Sequence, residues 1–238
     1  MMEVYVGTSG WVYDWNPDGL EWYARKSRLN AVELNMSFYR FPYPSQISKW
    51  RRVGSRLRWS IKVHRSITHY RKLSPLSLDT WRKFYRLFQP LVDLIDFFLF
   101  QFPPSVKPTE NFLEKLEYFL KSLNLSDKIA LEFRHPSWFN QNLVDLISSW
   151  RAVFVSVDSP EIREAIYSSN GIIYLRLHGR TYWYFHNYTF EELEDIVNHL
   201  LELKPRKIYV FFNNDHNMLH NAREMKEFLE KSINFFIK

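Results

Sequence analysis

The sequence contains no cysteine in 238 residues, an absence that removes disulfides, thiol catalysis and thiolate metal sites at once. Nor does any stretch reach the roughly eighteen consecutive apolar residues that mark a membrane span. Met1-Met2-Glu3-Val4 runs straight into a strand-like segment, so neither an anchor nor a secretory signal is expected and the expected location is cytoplasmic. In that setting the glycosylation-like triplets at Asn35, Asn124 and Asn187 are chance matches. No linker, repeat or low-complexity tract divides the chain, and its 46% hydrophobic content suits one large core. A single domain over 1–238 is the expectation.

Negative charge is missing locally. Between Glu33 and Asp79 there is no acidic residue, yet Arg40, Lys49, Arg51, Arg52, Arg56, Arg58, Lys62, Arg65, Arg71 and Lys72 all fall there. That segment is +10, so the rest of a chain with net charge +6 sums to −4. Phe38, Tyr39, Phe41, Tyr43, Trp50, Trp59 and Tyr70 are interleaved with these cations. Such a composition suits neutralising phosphates and stacking bases; a solvated basic face is the plainer alternative.

What is present is a series of strands with an unusual alternation. In Gly171–Gly179, Leu175 and Leu177 share one face while Tyr174, Arg176 and His178 share the other. Long polar side chains at the end of a strand, followed by a glycine, suggest a face that lines a cavity. Segments 3–10, 31–39, 57–64, 95–102, 128–135, 152–158, 171–179 and 207–214 all read as strands. Helices are expected near 19–28, 42–52, 79–92, 109–123, 140–149, 161–168, 189–203 and 217–235. Eight strands, each followed by a helix, predict a single-domain (β/α)8 barrel, with a doubly wound open sheet as the alternative.

Inward-pointing residues at the carboxyl ends of barrel strands form the site in this architecture. Strand by strand they are Glu33 and Asn35, Lys62 and His64, Gln101, Glu132 and Arg134, Asp158, Arg176 and His178, and Asn213 or Asn214. Any one of them is explicable as half of a buried ion pair. The whole set is costly to bury for structure alone.

The cations Lys62, Arg134 and Arg176 balance Glu33, Glu132 and Asp158, whereas a divalent-metal pocket normally has an excess of carboxylate and histidine. No cofactor is therefore expected; if a divalent metal binds, Glu33, Glu132, Asp158 and His178 are its expected ligands. The two arginines suit a bidentate grip on phosphate or carboxylate. Lys62 is a charge stabiliser or, with a depressed pKa, a base or Schiff-base amine. Paired carboxylates permit acid and base roles. His178 is the expected proton carrier, its ring left accessible by Gly179, while His69 in a loop reads as a substrate contact.

The motifs Gly7-Thr-Ser-Gly-Trp11, Val32-Glu-Leu-Asn35 with Phe38-Tyr39, Lys62 with Thr68-His69, Gln101-Phe-Pro-Pro104, Glu132-Phe-Arg-His135 with Trp138, Arg176-Leu-His-Gly179 and Phe212-Asn-Asn214 together resemble the DUF72, or YecE-like, family in order and spacing. The resemblance covers essentially the whole chain. It implies a TIM-barrel fold and no particular reaction. It also implies that Glu33, Asn35, Tyr39, Lys62, His69, Gln101, Glu132, Arg134, Asp158, Arg176, His178 and Asn213 share the family's cleft.

The expected function is acid–base, hydrolase-like chemistry on an anionic, phosphate-bearing substrate, a small molecule or a nucleic acid, with no membrane partner. The expected catalytic set is Glu33, Lys62, Glu132, Asp158 and His178. The expected substrate contacts are Asn35, Tyr39, His69, Gln101, Arg134, Trp138, Arg176 and Asn213. On this view Arg176→Ala abolishes turnover with little loss of fold. The alternatives are a sugar or aldehyde isomerase or lyase using Lys62 or a metal, and a non-catalytic nucleic-acid-binding protein.

Overall fold

The computed structural model describes residues 2–125, 127–163 and 165–236, with side chains described through Ile233. Eight parallel strands close into a barrel in chain order. They are β1 (Glu3–Ser9), β2 (Ala31–Leu34), β3 (Arg58–Lys62), β4 (Ile95–Gln101), β5 (Ile129–Glu132), β6 (Ala152–Asp158), β7 (Ile172–Leu177) and β8 (Lys207–Phe212). Closure is carried by β1, where Gly7 is in register with Ala31 on one side and Phe211 on the other.

Alternation along each strand divides two apolar layers. Small or flat side chains such as Ala31, Leu99, Ala130, Val155 and Phe211 fill the barrel interior. Larger ones such as Trp59, Phe98, Leu131 and Phe212 face outward, beneath α1 (Gly19–Lys26), α2 (Pro44–Val53), α3 (Pro75–Phe88), α4 (Glu110–Ser122), α5 (Gln141–Ser149), α6 (Phe190–Glu202) and α7 (Met218–Phe236). On α3, Trp81, Phe84 and Phe88 form the buried stripe, and the Trp81 ring meets Phe98 edge-on at 5.1 Å. This helix starts one turn before the expected Asp79, because Pro75 at its first position has no N–H to leave unpaired. At α6, Thr189 and Glu192 form a reciprocal capping box.

The expected helix over 161–168 is absent from the described residues of that segment; irregular chain crosses from β6 to β7 instead. This has a consequence for orientation. Where the crossover carries no helix, the outer face of β6 turns polar towards its carboxyl end: Ser156 Oγ accepts from the Tyr167 N–H at 2.9 Å, and Asp158 Oδ2 accepts from the Tyr188 hydroxyl at 2.7 Å. Phe154, nearer the middle, stays in the outer apolar layer. The inner face of β6 is Val153, Val155 and Val157. A second irregularity, at the opposite end, is a bulge in β4: Trp59 pairs with Ile95 but Ser60 with Phe97, so Asp96 is the extra residue.

Candidate active site

Inward positions at the carboxyl ends of β1, β2, β3, β5 and β7 converge on Arg176. Its guanidinium is fully buried and spans the barrel, with Nη2 donating to Glu33 Oε1 at 2.5 Å and Nη1 to Glu132 Oε2 at 2.5 Å. Ser9 Oγ donates to Glu33 Oε1 at 2.7 Å, and the Tyr174 hydroxyl donates to Glu33 Oε2 at 2.7 Å. Burial and the neighbouring carboxylate keep the Tyr174 hydroxyl protonated, its pKa pushed well above that of a free phenol.

Above this floor Arg134 Nη2 lies 2.6 Å from Glu132 Oε1. That oxygen lacks a well-angled hydrogen bond, so the contact is a close Coulombic one. Burial alone would raise the Glu132 pKa, but Arg134 and Arg176 hold it well below the usual carboxylate range. His178 Nε2 sits 3.2 Å from Arg134 Nη2 and 3.4 Å from Glu132 Oε1, and Asn213 Nδ2 donates to Nδ1 at 3.1 Å. Burial and the two arginines keep this imidazole neutral, far below its ordinary pKa.

Lys62 is different from every other cation of the site. Its side chain is buried, its ammonium lies 4.3 Å from the centre of the Phe38 ring, and among the described residues it has no hydrogen-bond or ion-pair partner. Burial first, then Arg176, draws its pKa down to about 7. His69, edge-on to Phe38 at 5.0 Å, is pulled to about 4 by burial and by Lys62. Gln101 is in register with Glu132 on the adjoining strand, Asn35 lies half-buried with Nδ2 3.5 Å from the Ser9 carbonyl, and Tyr39 is exposed on the rim.

Two expected members lie elsewhere. Asp158 points out of the barrel and is held by Tyr188 and by Arg180 Nε at 3.0 Å. It is polar on the outer face for the reason given above. Trp138 is wholly buried, stacked on Phe133 at 3.6 Å with Nε1 donating to the Val106 carbonyl at 2.9 Å; it is a packing residue and touches no part of the mouth. The four residues expected as metal ligands are thereby split, and Arg176 fills the space between Glu33 and Glu132. Among the described residues no three His, Asp or Glu side chains are grouped to hold a metal ion.

The His178 ring, expected to be accessible, is fully buried. The loop after β7 covers it, with Trp183 5.3 Å and Tyr184 5.7 Å from it between ring centres, and Trp183 also lies 4.4 Å from the Arg134 guanidinium. Gly179 permits this fold-back: its φ is +103°, and a Cβ there would come within 2.8 Å of the His186 Cβ. Ser9, Tyr174, Trp183 and Tyr184 are site residues that sequence reasoning did not assign. Ser9 and Tyr174 share the inward alternation of their strands, and the aromatic run 182–188 directly follows Gly179.

A family model described as "Protein of unknown function DUF72" matches residues 5–235. The chain belongs to the DUF72 family. Among solved structures it is similar to a DUF72 protein of Enterococcus faecalis V583, with 21% identity, 95% of each chain covered and a TM-score of 0.84. It is also similar to a DUF72 protein of Thermotoga maritima MSB8, with 27% identity, 96% of this chain and 99% of that one covered, and a TM-score of 0.81. A xylose isomerase domain-containing protein of Salmonella typhimurium LT2 shares the barrel at 15% identity, with 92% and 93% covered and a TM-score of 0.54; that likeness is one of fold. No curated protein matches the chain. No described helix is long and apolar enough to cross a membrane.

Proposed function

We propose that this DUF72 protein is an enzyme performing acid–base chemistry on an anionic, phosphate-bearing substrate, with the Lys62 amine as the group that exchanges the proton. The observation that carries this reading is the unpartnered Lys62 ammonium, buried beside Arg176 with a pKa near 7. A group that is half protonated near neutrality can both take and return a proton. Glu132, held ionised by two arginines, is a poor donor at that pH, which moves the acid–base role from the carboxylates to the lysine. Arg176, whose two terminal nitrogens are already on carboxylates, belongs to the floor. Arg134 is also paired, its Nη2 2.6 Å from Glu132 Oε1, but it meets one carboxylate where Arg176 meets two and lies at the mouth beside Trp183, which makes it the better-placed fixed charge for a phosphate.

The same neutral amine favours a second reading, a carbonyl substrate: the amine adds to the carbonyl, water leaves and a Schiff base forms. Labelling by acetic anhydride across neutral and alkaline pH, read by mass spectrometry of the Lys62 peptide with and without inorganic phosphate, tests the first. A reactivity midpoint near 7 that phosphate raises while slowing labelling is the expected result. A midpoint near the ordinary lysine value of about 10 with no protection overturns it, and a borohydride-trapped carbonyl adduct on Lys62 selects the second reading.

A further inference from the structure

We propose that the rim built by the loops after β2, β3 and β4 binds single-stranded nucleic acid and leads its phosphates to the mouth. The inference rests on the mouth acting on an anionic substrate and names the polymer that carries the anion.

Of the eleven exposed large apolar side chains among the described residues, nine stand on loops or first helical turns at the carboxyl end of the barrel. Tyr39, Tyr43 and Tyr70 stand on one side, over 60% exposed each, and Tyr182, Tyr184 and Phe185 on the other. Exposed rings gathered at one end of the barrel mark an interaction surface, and flat ones suit base faces. The cations interleaved with them make the partner anionic. The Arg65 guanidinium lies 5.5 Å from the Tyr39 ring and 5.4 Å from Tyr70, and Arg40 lies 6.0 Å from Tyr43.

The stripe continues into a groove of about 390 Å³ at the start of α4, lined by Lys72, Lys107 and Lys115 with Thr109, Asn111 and Phe112 among its walls. Among the described residues none of Arg40, Arg65, Lys72, Lys107 and Lys115 is paired with a carboxylate. The basic segment is therefore not one patch. Arg51 and Arg58 turn to Asp93 and Asp96 at the opposite end, Lys49, Arg52 and Arg56 line a separate groove there, and the rim holds Arg40, Arg65 and Lys72. A duplex hides the base faces that these rings would stack on, which favours a single strand.

Fluorescence anisotropy with a labelled oligonucleotide of about sixteen residues, titrated over a range of salt, tests the proposal on the full chain. Binding is expected with a log–log salt slope of about −3.5, five contacts at about 0.7 each on a single strand. Tyr39→Ala with Arg65→Ala and Tyr70→Ala is expected to weaken it at least tenfold, whereas Tyr70→Phe keeps the ring and retains it. Circular dichroism confirms that these surface variants fold. No binding, a flat salt dependence, an unaffected triple variant, or equal competition by duplex or by polyglutamate overturns the proposal. Loss of strand binding while phosphate still protects Lys62 overturns this inference alone; strand binding without that protection overturns the mouth reading alone.

Discussion

The two ends of the barrel are built from the same residue types and differ in how many are satisfied. At the amino end Arg58 Nε donates to Asp96 Oδ2 at 2.9 Å, the Tyr209 hydroxyl donates to the same oxygen at 3.1 Å, and Lys128 donates to the carbonyls of Val92 and Ile95 at 2.8 and 2.7 Å. Each of these polar groups has its partner, as a structural plug requires, even though they line a pocket of about 550 Å³ at that end. At the carboxyl end Arg176, Glu33, Glu132 and Tyr174 make a floor that is less completely satisfied, Arg176 Nε and Glu132 Oε1 having no hydrogen bond, and Lys62 above it meets only an aromatic ring. A lysine whose side chain is buried and whose ammonium meets no protein acceptor is unfavourable for the fold, and the contrast with Lys128 marks Lys62 as the residue retained for something other than stability.

The largest effect that sharpens this contrast is at Arg176. The expectation from sequence, that Arg176→Ala spares the fold, is overturned by its position between two buried carboxylates. Arg176→Met leaves Glu33 and Glu132 without their shared cation and should cost about 3–5 kcal/mol, or on the order of 10 °C in Tm for a chain of this size. Thermal unfolding measures it. A variant as stable as the wild type would mean that the floor is not the closed unit its distances describe.

How much of this was legible follows from which constraint acts on each residue. Glu33, Glu132 and Arg176 were readable because period-two alternation on β2, β5 and β7 leaves a polar residue no outward alternative under a packed helix. Asp158 was misread by the same rule. Nothing in Ala152–Asp158 says that the following crossover lacks a helix, and without that cover the outward positions Ser156 and Asp158 at the end of the strand can be polar. Trp138 was misplaced because a loop tryptophan next to Arg134 is equally compatible with the mouth and with the outer layer; only Phe133, turned outward, decides it. The lone state of Lys62 was beyond reach, since it depends on Arg176 taking both carboxylates that would otherwise have answered it.

Lys62→Met should remove the function and yet stabilise the protein, which Lys128→Met should not. With the folded pKa lowered to about 7 from 10.5, the unfolded chain binds more protons between those values, so wild-type stability rises as pH climbs from 7 towards 10.5. Below 7 the native ammonium carries the full burial penalty, at most about 5 kcal/mol at about 1.4 kcal/mol per unit. In Lys62→Met that slope disappears and the gain is greatest at and below neutral pH. Urea unfolding at a series of pH values reads both, and an unchanged slope would show that Lys62 finds a partner in solution.

The smallest effect distinguishes the ends most sharply, because the same substitution is made at each. Tyr174→Phe and Tyr209→Phe each delete one hydroxyl bonded to a carboxylate; Tyr209→Phe should cost about 1 kcal/mol and Tyr174→Phe somewhat more, because its hydroxyl also meets the buried Ser60 Oγ at 2.7 Å. Their stability losses are expected to be of the same order. Their effects on Lys62 are not: Tyr174 neutralises part of the Glu33 charge through its 2.7 Å hydrogen bond, and Glu33 is among the groups that raise the Lys62 pKa against burial. Removing that bond leaves a barer carboxylate and should move the midpoint of Lys62 labelling upward by a fraction of a unit, while Tyr209→Phe leaves it in place. A shift in both variants, or in neither, would mean that the floor and the plug are electrically interchangeable, and that the lysine's low pKa is set by burial alone.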